Sequence, residues 1–236
     1  MAFTDNLVPL LTLIVLETIL GIDNIIFISI LADKLPPEQR DRLRYWGIGL
    51  SMFMRLGLLA LIAWIMQLDQ TLFTVAGIAI TGKGLILLGG GLFLIYKSTK
   101  EIYHKAELGD DTNAPDTTKA TFRDLLIQVL ILDLVFSIDS IITAVGMVDQ
   151  LWVMYTAVVV TVGIMLLASR PIASFISRHP SFKILALCFL LIIGMSLVAE
   201  GLHVEIPKGY IYFSMAFAFL VDLIQMKTVR PNQSGK

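Results

Sequence analysis

Seven long apolar segments separated by polar ones make up most of the chain, at approximately 7–31, 46–68, 80–100, 123–147, 151–170, 183–202 and 210–227. Several contain no charge, among them Leu151–Ser169 and Ile184–Ala199. A bilayer core about 30 Å thick takes roughly 20 apolar residues of helix to cross. Each segment therefore predicts a membrane-spanning helix, and runs of this length are too long for the buried helices of a soluble core. Ahead of the first span, Met1–Asn6 carries Asp5 and no basic residue. That argues against a cleaved signal peptide, so the first helix is expected to stay. The stretch His104–Thr121, HKAELGDDTNAPDTTKAT, has almost no large apolar residue and reads as a solvated linker.

Composition narrows the class further. Hydrophobic residues are 56%, charged residues 16% and mean hydropathy +0.81, against about 25% charged in soluble domains. This excludes a water-soluble globule, a disordered chain and a basic nucleic-acid binder, and a net charge of -1 points to no polyanionic partner. The single cysteine, Cys188, excludes an internal disulfide framework and a cysteine-based zinc site. With the N-terminus outside, fifteen Lys and Arg residues fall on the inner side, whereas only Lys83 and Lys208 fall outside. The positive-inside rule then orients an odd number of helices N-out and C-in. The loop Asp69–Gly82 is expected outside, and the Lys34–Arg44 loop and the linker inside. Trp46, Trp64 and Trp152 lie near span boundaries, as an interfacial belt requires.

The chain repeats itself. Glu17-Thr-Ile-Leu-Gly-Ile-Asp-Asn-Ile-Ile26 and Asp133-Leu-Val-Phe-Ser-Ile-Asp-Ser-Ile-Ile142 share one pattern at an offset of 116 residues. Arg55 lies within the second span and Arg170 at the end of the fifth. Lys83 and Glu101 bracket the third span as Lys183 and Glu200 bracket the sixth. A three-helix unit inserted twice must invert, which is the inverted-topology repeat of secondary transporters with a seventh helix appended. The reading is thus all-α and a single transmembrane domain: repeat 1 about 7–103, a cytoplasmic linker about 104–121, repeat 2 about 122–203 and an extra helix about 210–227.

Four carboxylates lie within about a turn of the centres of the first and fourth spans: Glu17, Asp23, Asp133 and Asp139. Each costs roughly 2.5–3.5 kcal/mol at the centre of a membrane helix, a cost rarely kept without function. Glu17, Gly21 and Asn24 share one helical stripe, and Asp133, Ser137 and Ser140 share the equivalent one. Gly21 and Ser137 would let the first and fourth spans cross closely, with room for a local helix break. Opposite helix directions put Glu17 level with Asp139 and Asp23 level with Asp133. The expectation is a cage of four carboxylates with oxygens from Asn24 and Ser140. All-oxygen ligation suits Mg²⁺, Ca²⁺ or Mn²⁺, and no cysteine or histidine joins the cluster. Four negative charges around one dication leave two uncompensated, so proton release on metal binding offers a coupling for antiport. The competing reading is a buried structural network in which Arg55 and Arg170 are the charge partners of the acids. Gly82-Lys83-Gly84 and Gly89-Gly90-Gly91 lack the context of a phosphate loop, so no nucleotide is expected, and glycines there read as close packing.

The twin motifs resemble the signatures of the TerC family of integral membrane proteins, within the LysE transporter superfamily. The resemblance extends over nearly the whole chain, including Arg55, Gly89–Gly91, Arg178-His179-Pro180 and Pro207-Lys208-Gly209-Tyr210. It looks closest to the short bacterial inner-membrane form. Members are associated with manganese export, so the resemblance implies a multi-pass inner-membrane exporter of a divalent cation, Mn²⁺ favoured. Glu17, Asp23, Asn24, Asp133, Asp139 and Ser140 occupy the matching positions as metal ligands. No prosthetic group is implied beyond the transported ion. An assembly protein whose buried acids hold the repeats together is the alternative. An intramembrane protease is disfavoured, because the Gly-x-Gly-Asp pattern is absent.

Overall fold

The computed structural model describes residues 2–67, 70–75, 78–107, 121–148, 150–204 and 206–228. Most of them form eight helices and one hairpin: α1 (Ala2–Ala32), α2 (Pro37–Ala60), α3 (Ile62–Gln67), β1 (Thr71–Val75), β2 (Ile78–Thr81), α4 (Gly82–Glu107), α5 (Phe122–Met147), α6 (Leu151–Arg178), α7 (Pro180–Gly201) and α8 (Lys208–Thr228). The Pro36-Pro37 pair separates α1 from α2, because a residue before proline avoids the α region and Pro37 is suited to the first helical position. Among the described residues four helices are long and apolar enough to cross a membrane: Asn6–Ala32 of α1, Phe122–Met147, Leu151–Arg178 and Ser181–Gly201 of α7.

Several boundaries depart from the apolar pattern. The second segment is not one helix to residue 68. At Leu61 the amide reaches back to the Gly57, Leu58 and Leu59 carbonyls, which tightens and ends α2 before the short helix α3. An antiparallel hairpin then pairs Phe73 with Ile80, Thr74 with Ala79 and Val75 with Ile78. Its strands are rich in β-branched residues, which favour the pleated conformation. Thr81 closes the hairpin and caps α4, its Oγ1 accepting from the Gly84 amide at 2.9 Å. At the other end α4 runs on to Glu107, into the segment read as linker, since His104–Glu107 holds no helix breaker. The remainder of that linker, 108–120, lies outside the described residues. Helix α6 continues through Pro171 to Arg178; the proline leaves only one carbonyl of the ladder without its amide.

Helix α4 lies along α7, α1 along α6, and α2 along α5. Glycines set the first of these contacts. A Cβ built on Gly91 would stand 2.6 Å from the Gly194 carbonyl oxygen, and one on Gly84 would stand 2.9 Å from the Gly201 carbonyl oxygen. The sequence positions rise on one helix as they fall on the other, so α4 and α7 run antiparallel with backbones in near contact. Gly89 meets nothing within 4 Å. Two neighbouring glycines therefore predict opposite outcomes. Gly91→Ala should lose about 1–3 kcal/mol by overpacking against backbone that cannot yield. Gly89→Ala should gain up to about 1 kcal/mol from helix propensity. Thermal melting in detergent measures both, and equal melting temperatures would refute the seam.

The outer surface is strongly apolar, and a group of charged and polar side chains is buried within the apolar core. Leu167, Phe213 and Val8 are 82%, 73% and 70% exposed, while Glu17, Asp23, Asn24, Arg55, Asp133 and Asp139 are each at most 7% exposed. Lipid is the solvent in which this distribution is stable. At one end of the bundle, Lys34 pairs with Glu101 and Lys183 with Asp33, tying the end of α1 to α4 and α7.

Candidate functional site

Each copy of the repeated motif lies in the middle of an unbroken helix. α1 passes through Gly21 and α5 through Ser137 without interruption, which corrects the expectation of a helix break. Gly21 does allow close packing, but against α6. A Cβ there would meet Met165 Sδ at 2.6 Å. Ser137 is fully buried and donates to Asp133 Oδ2 at 3.3 Å, so its hydroxyl supports a carboxylate and opens no kink.

The four carboxylates are not gathered into one cage. They divide into two pairs, the first acids of the two motifs together and the second acids together. Glu17 and Asp133 share Arg55. One guanidinium nitrogen pairs with Glu17 Oε2, and another donates to Asp133 Oδ1 at 3.1 Å. Asn24 Nδ2 donates to the same Oδ1 at 3.1 Å. A single buried arginine thus fastens α1, α2 and α5. The other expected partner, Arg170, does not take part. It is 64% exposed, 3.6 Å from Asp41 Oδ2 and stacked over Tyr45 at 5.4 Å, because its place on α6 faces outward. Ser140 Oγ donates to the Ser137 carbonyl of its own helix at 3.3 Å.

Asp23 and Asp139 line a second place, a cavity of about 40 Å³ whose wall includes Ser196, Glu200, Lys208 and Tyr212. That is room for a few water-sized spheres or one small ion. Among the described residues Asp23 makes no hydrogen bond or ion pair, although it is only 6% exposed. Asp139 pairs with Lys208 through Oδ2. Its Oδ1 is buried without a hydrogen bond, and Lys83 Nζ lies 3.9 Å away. Lys83 donates instead to Glu200 Oε1 at 3.0 Å. In this conformation no three Asp, Glu, His or Cys side chains among the described residues converge closely enough to hold a metal ion.

Sequence position alone matches Lys83 and Glu200 only as bracketing charges and makes Lys208 a loop cation. Their signal is their place at the ends of spans, close to the segments that carry the acids. The turn before α8 brings Lys208 into place. His203 adopts a left-handed φ of 62°, the Val204 amide donates to the Ala199 carbonyl and the His203 amide to the Glu200 carbonyl, both at 2.9 Å. This is a Schellman cap, and it turns the chain back toward the cavity.

Comparison with known proteins agrees with an integral membrane protein. The chain is 50% identical over 214 residues to the UPF0053 inner membrane protein YoaE of Escherichia coli (strain K12), covering 91% of this chain and 41% of that protein. It is 48% identical over 223 residues to a UPF0053 protein of Haemophilus influenzae, covering 94% of both chains, and 47% identical over 215 residues to the UPF0053 inner membrane protein YgdQ of Escherichia coli (strain K12), covering 91% and 90%. The chain thus spans about two-fifths of YoaE and nearly the full length of the other two. No solved structure matches. The profile of the integral membrane protein TerC family matches residues 2–234, and the chain belongs to that family.

Proposed function

We propose that this protein is an inner-membrane transporter that exports a divalent metal cation, Mn²⁺ favoured, in exchange for protons. One observation carries the reading. The second aspartates of the two motifs, Asp23 and Asp139, meet at one ion-sized cavity, and Asp23 has no partner there among the described residues. A buried carboxylate without a partner is costly in a membrane interior, and a passing cation supplies the missing charge. Carboxylate, hydroxyl and phenol oxygens around the cavity suit a hard dication. The seven-helix N-out, C-in arrangement and the inverted relation of the repeats belong to this proposal. The exchange of packing partners, α1 on α6 and α2 on α5, is what two related three-helix units would produce.

A second reading has its own support. Arg55 joins Glu17 and Asp133 across three helices, as an assembly role would require. The two fit together when the first acids of the motifs hold the bundle and the second acids hold the ion. Manganese content should therefore rise in cells lacking the gene when the medium is manganese-rich, and purified protein in vesicles should move Mn²⁺ in the direction opposite to proton flow when a proton gradient is imposed. Unchanged cellular manganese together with inactive vesicles would overturn the transport reading.

A further inference from the structure

Helix α8 stands outside the two repeats, yet its first residue reaches into the cavity. Lys208 pairs with Asp139, and its Nζ is 4.0 Å from Glu200 Oε2. The lysine side chain is 37% exposed, whereas Asp139 is 6% exposed. The ammonium group therefore comes from the surface and ends on a buried carboxylate, at the position a transported cation would take.

Charge balance selects the cation that can leave. Fully ionised, Asp23, Asp139 and Glu200 would bring three negative charges to the cavity wall, and Lys83 and Lys208 two positive ones. The empty site is formally one negative charge from neutral. A dication added with both lysines in place would leave one positive charge in a low-dielectric interior, with two cations on the same carboxylate. If Lys208 leaves, the metal, Lys83 and the three acids sum to zero. Both lysines face Asp139 and Glu200, but the Lys208 side chain is 37% exposed against 17% for Lys83, so Lys208 has solvent behind it. It is the cation that can go.

We propose that Lys208 is a tethered counter-ion that occupies the metal position on Asp139, and that a dication binds only by expelling it, so that loading the site releases the start of α8. This rests on the Asp23–Asp139 cavity being the cation site.

Two measurements on the full chain in lipid nanodiscs test it, with Mn²⁺ as the probe. The first is equilibrium Mn²⁺ binding. A self-occupied site has an apparent dissociation constant raised by the reciprocal of its vacant fraction. Lys208→Met should therefore lower the apparent Kd by about tenfold or more, while Lys208→Arg, which keeps the charge, stays near wild type. The second needs no variant. The rate of reductive methylation at Lys208, read by peptide mass spectrometry, should rise several-fold on saturation with Mn²⁺, while that at Lys83 stays constant. Mn²⁺ binding that is lost in Asp23→Asn and Asp139→Asn, but is unchanged or weaker in Lys208→Met with no rise in methylation, overturns the counter-ion alone. Binding that survives in both aspartate variants overturns the cation-site reading and this inference with it.

Discussion

Cells expressing the Arg55→Leu variant are expected to hold almost none of the protein in their membranes. Arg55 is 6% exposed and is the shared partner of two carboxylates that are themselves 6% and 4% exposed. Removing it leaves Glu17 and Asp133 side by side without their cation. Breaking a buried pair in this way costs about 3–5 kcal/mol, against a total stability of about 5–15 kcal/mol. The loss should depend on charge and not on the volume of the side chain. Arg55→Lys should retain part of the abundance, because it keeps a cation but loses the planar fork that spans both acids. The triple variant Glu17→Gln, Arg55→Leu, Asp133→Asn should recover most of it, because whole-network neutralisation is often tolerated where half-removal is not. Membrane abundance by immunoblot and melting in detergent measure these effects. Normal abundance of Arg55→Leu would show that the network does not hold the bundle together.

The buried acids are legible in the sequence because a membrane span has no ordinary use for them. Glu17, Asp23, Asp133 and Asp139 stand out on energetic grounds alone, and all four are buried. Their grouping is not legible. Matching Glu17 with Asp139 by level treats the helices as parallel rods, whereas the structure brings equivalent positions of the two motifs face to face, Glu17 with Asp133 and Asp23 with Asp139. Arg55 and Arg170 look alike as repeat positions, yet matched register says nothing about which way a residue faces. One is buried and the other is on the surface. The hairpin hides inside an apolar stretch, because four- or five-residue runs carry too few positions to separate a period of 2 from one of 3.6. Lys208 cannot be placed from the sequence, since its reach depends on a left-handed turn at His203, a conformation that only a few per cent of non-glycine residues adopt. The glycine seam is half legible. Gly89–Gly91 announces close packing, but only the structure separates Gly91, which touches α7, from Gly89, which touches nothing.

The aspartates of the cavity should behave in the opposite way to Arg55. Asp23→Asn and Asp139→Asn are each expected to abolish metal export while the protein accumulates normally. Asn is the same size and keeps one ligand oxygen, but it lacks the charge a dication needs. Removing one charged partner of a buried pair costs about 2–5 kcal/mol, so export should fall by about a hundredfold. Folding should be spared for reasons specific to each position. Asp23 has no partner to lose among the described residues. At Asp139 the amide releases Lys208 toward solvent, while Lys83 keeps Glu200 at 3.0 Å. No buried cation is left alone, in contrast with Glu17→Gln, which takes one of the two acids from Arg55 and should lose abundance together with activity. The measurement is paired, membrane abundance beside Mn²⁺ efflux from loaded vesicles. Lost efflux at normal abundance assigns the second aspartates to the ion and the first acids to the scaffold. Full efflux in both aspartate variants at normal abundance would remove them from the transport path, and abundance falling in step with efflux would make them part of the same scaffold as Arg55.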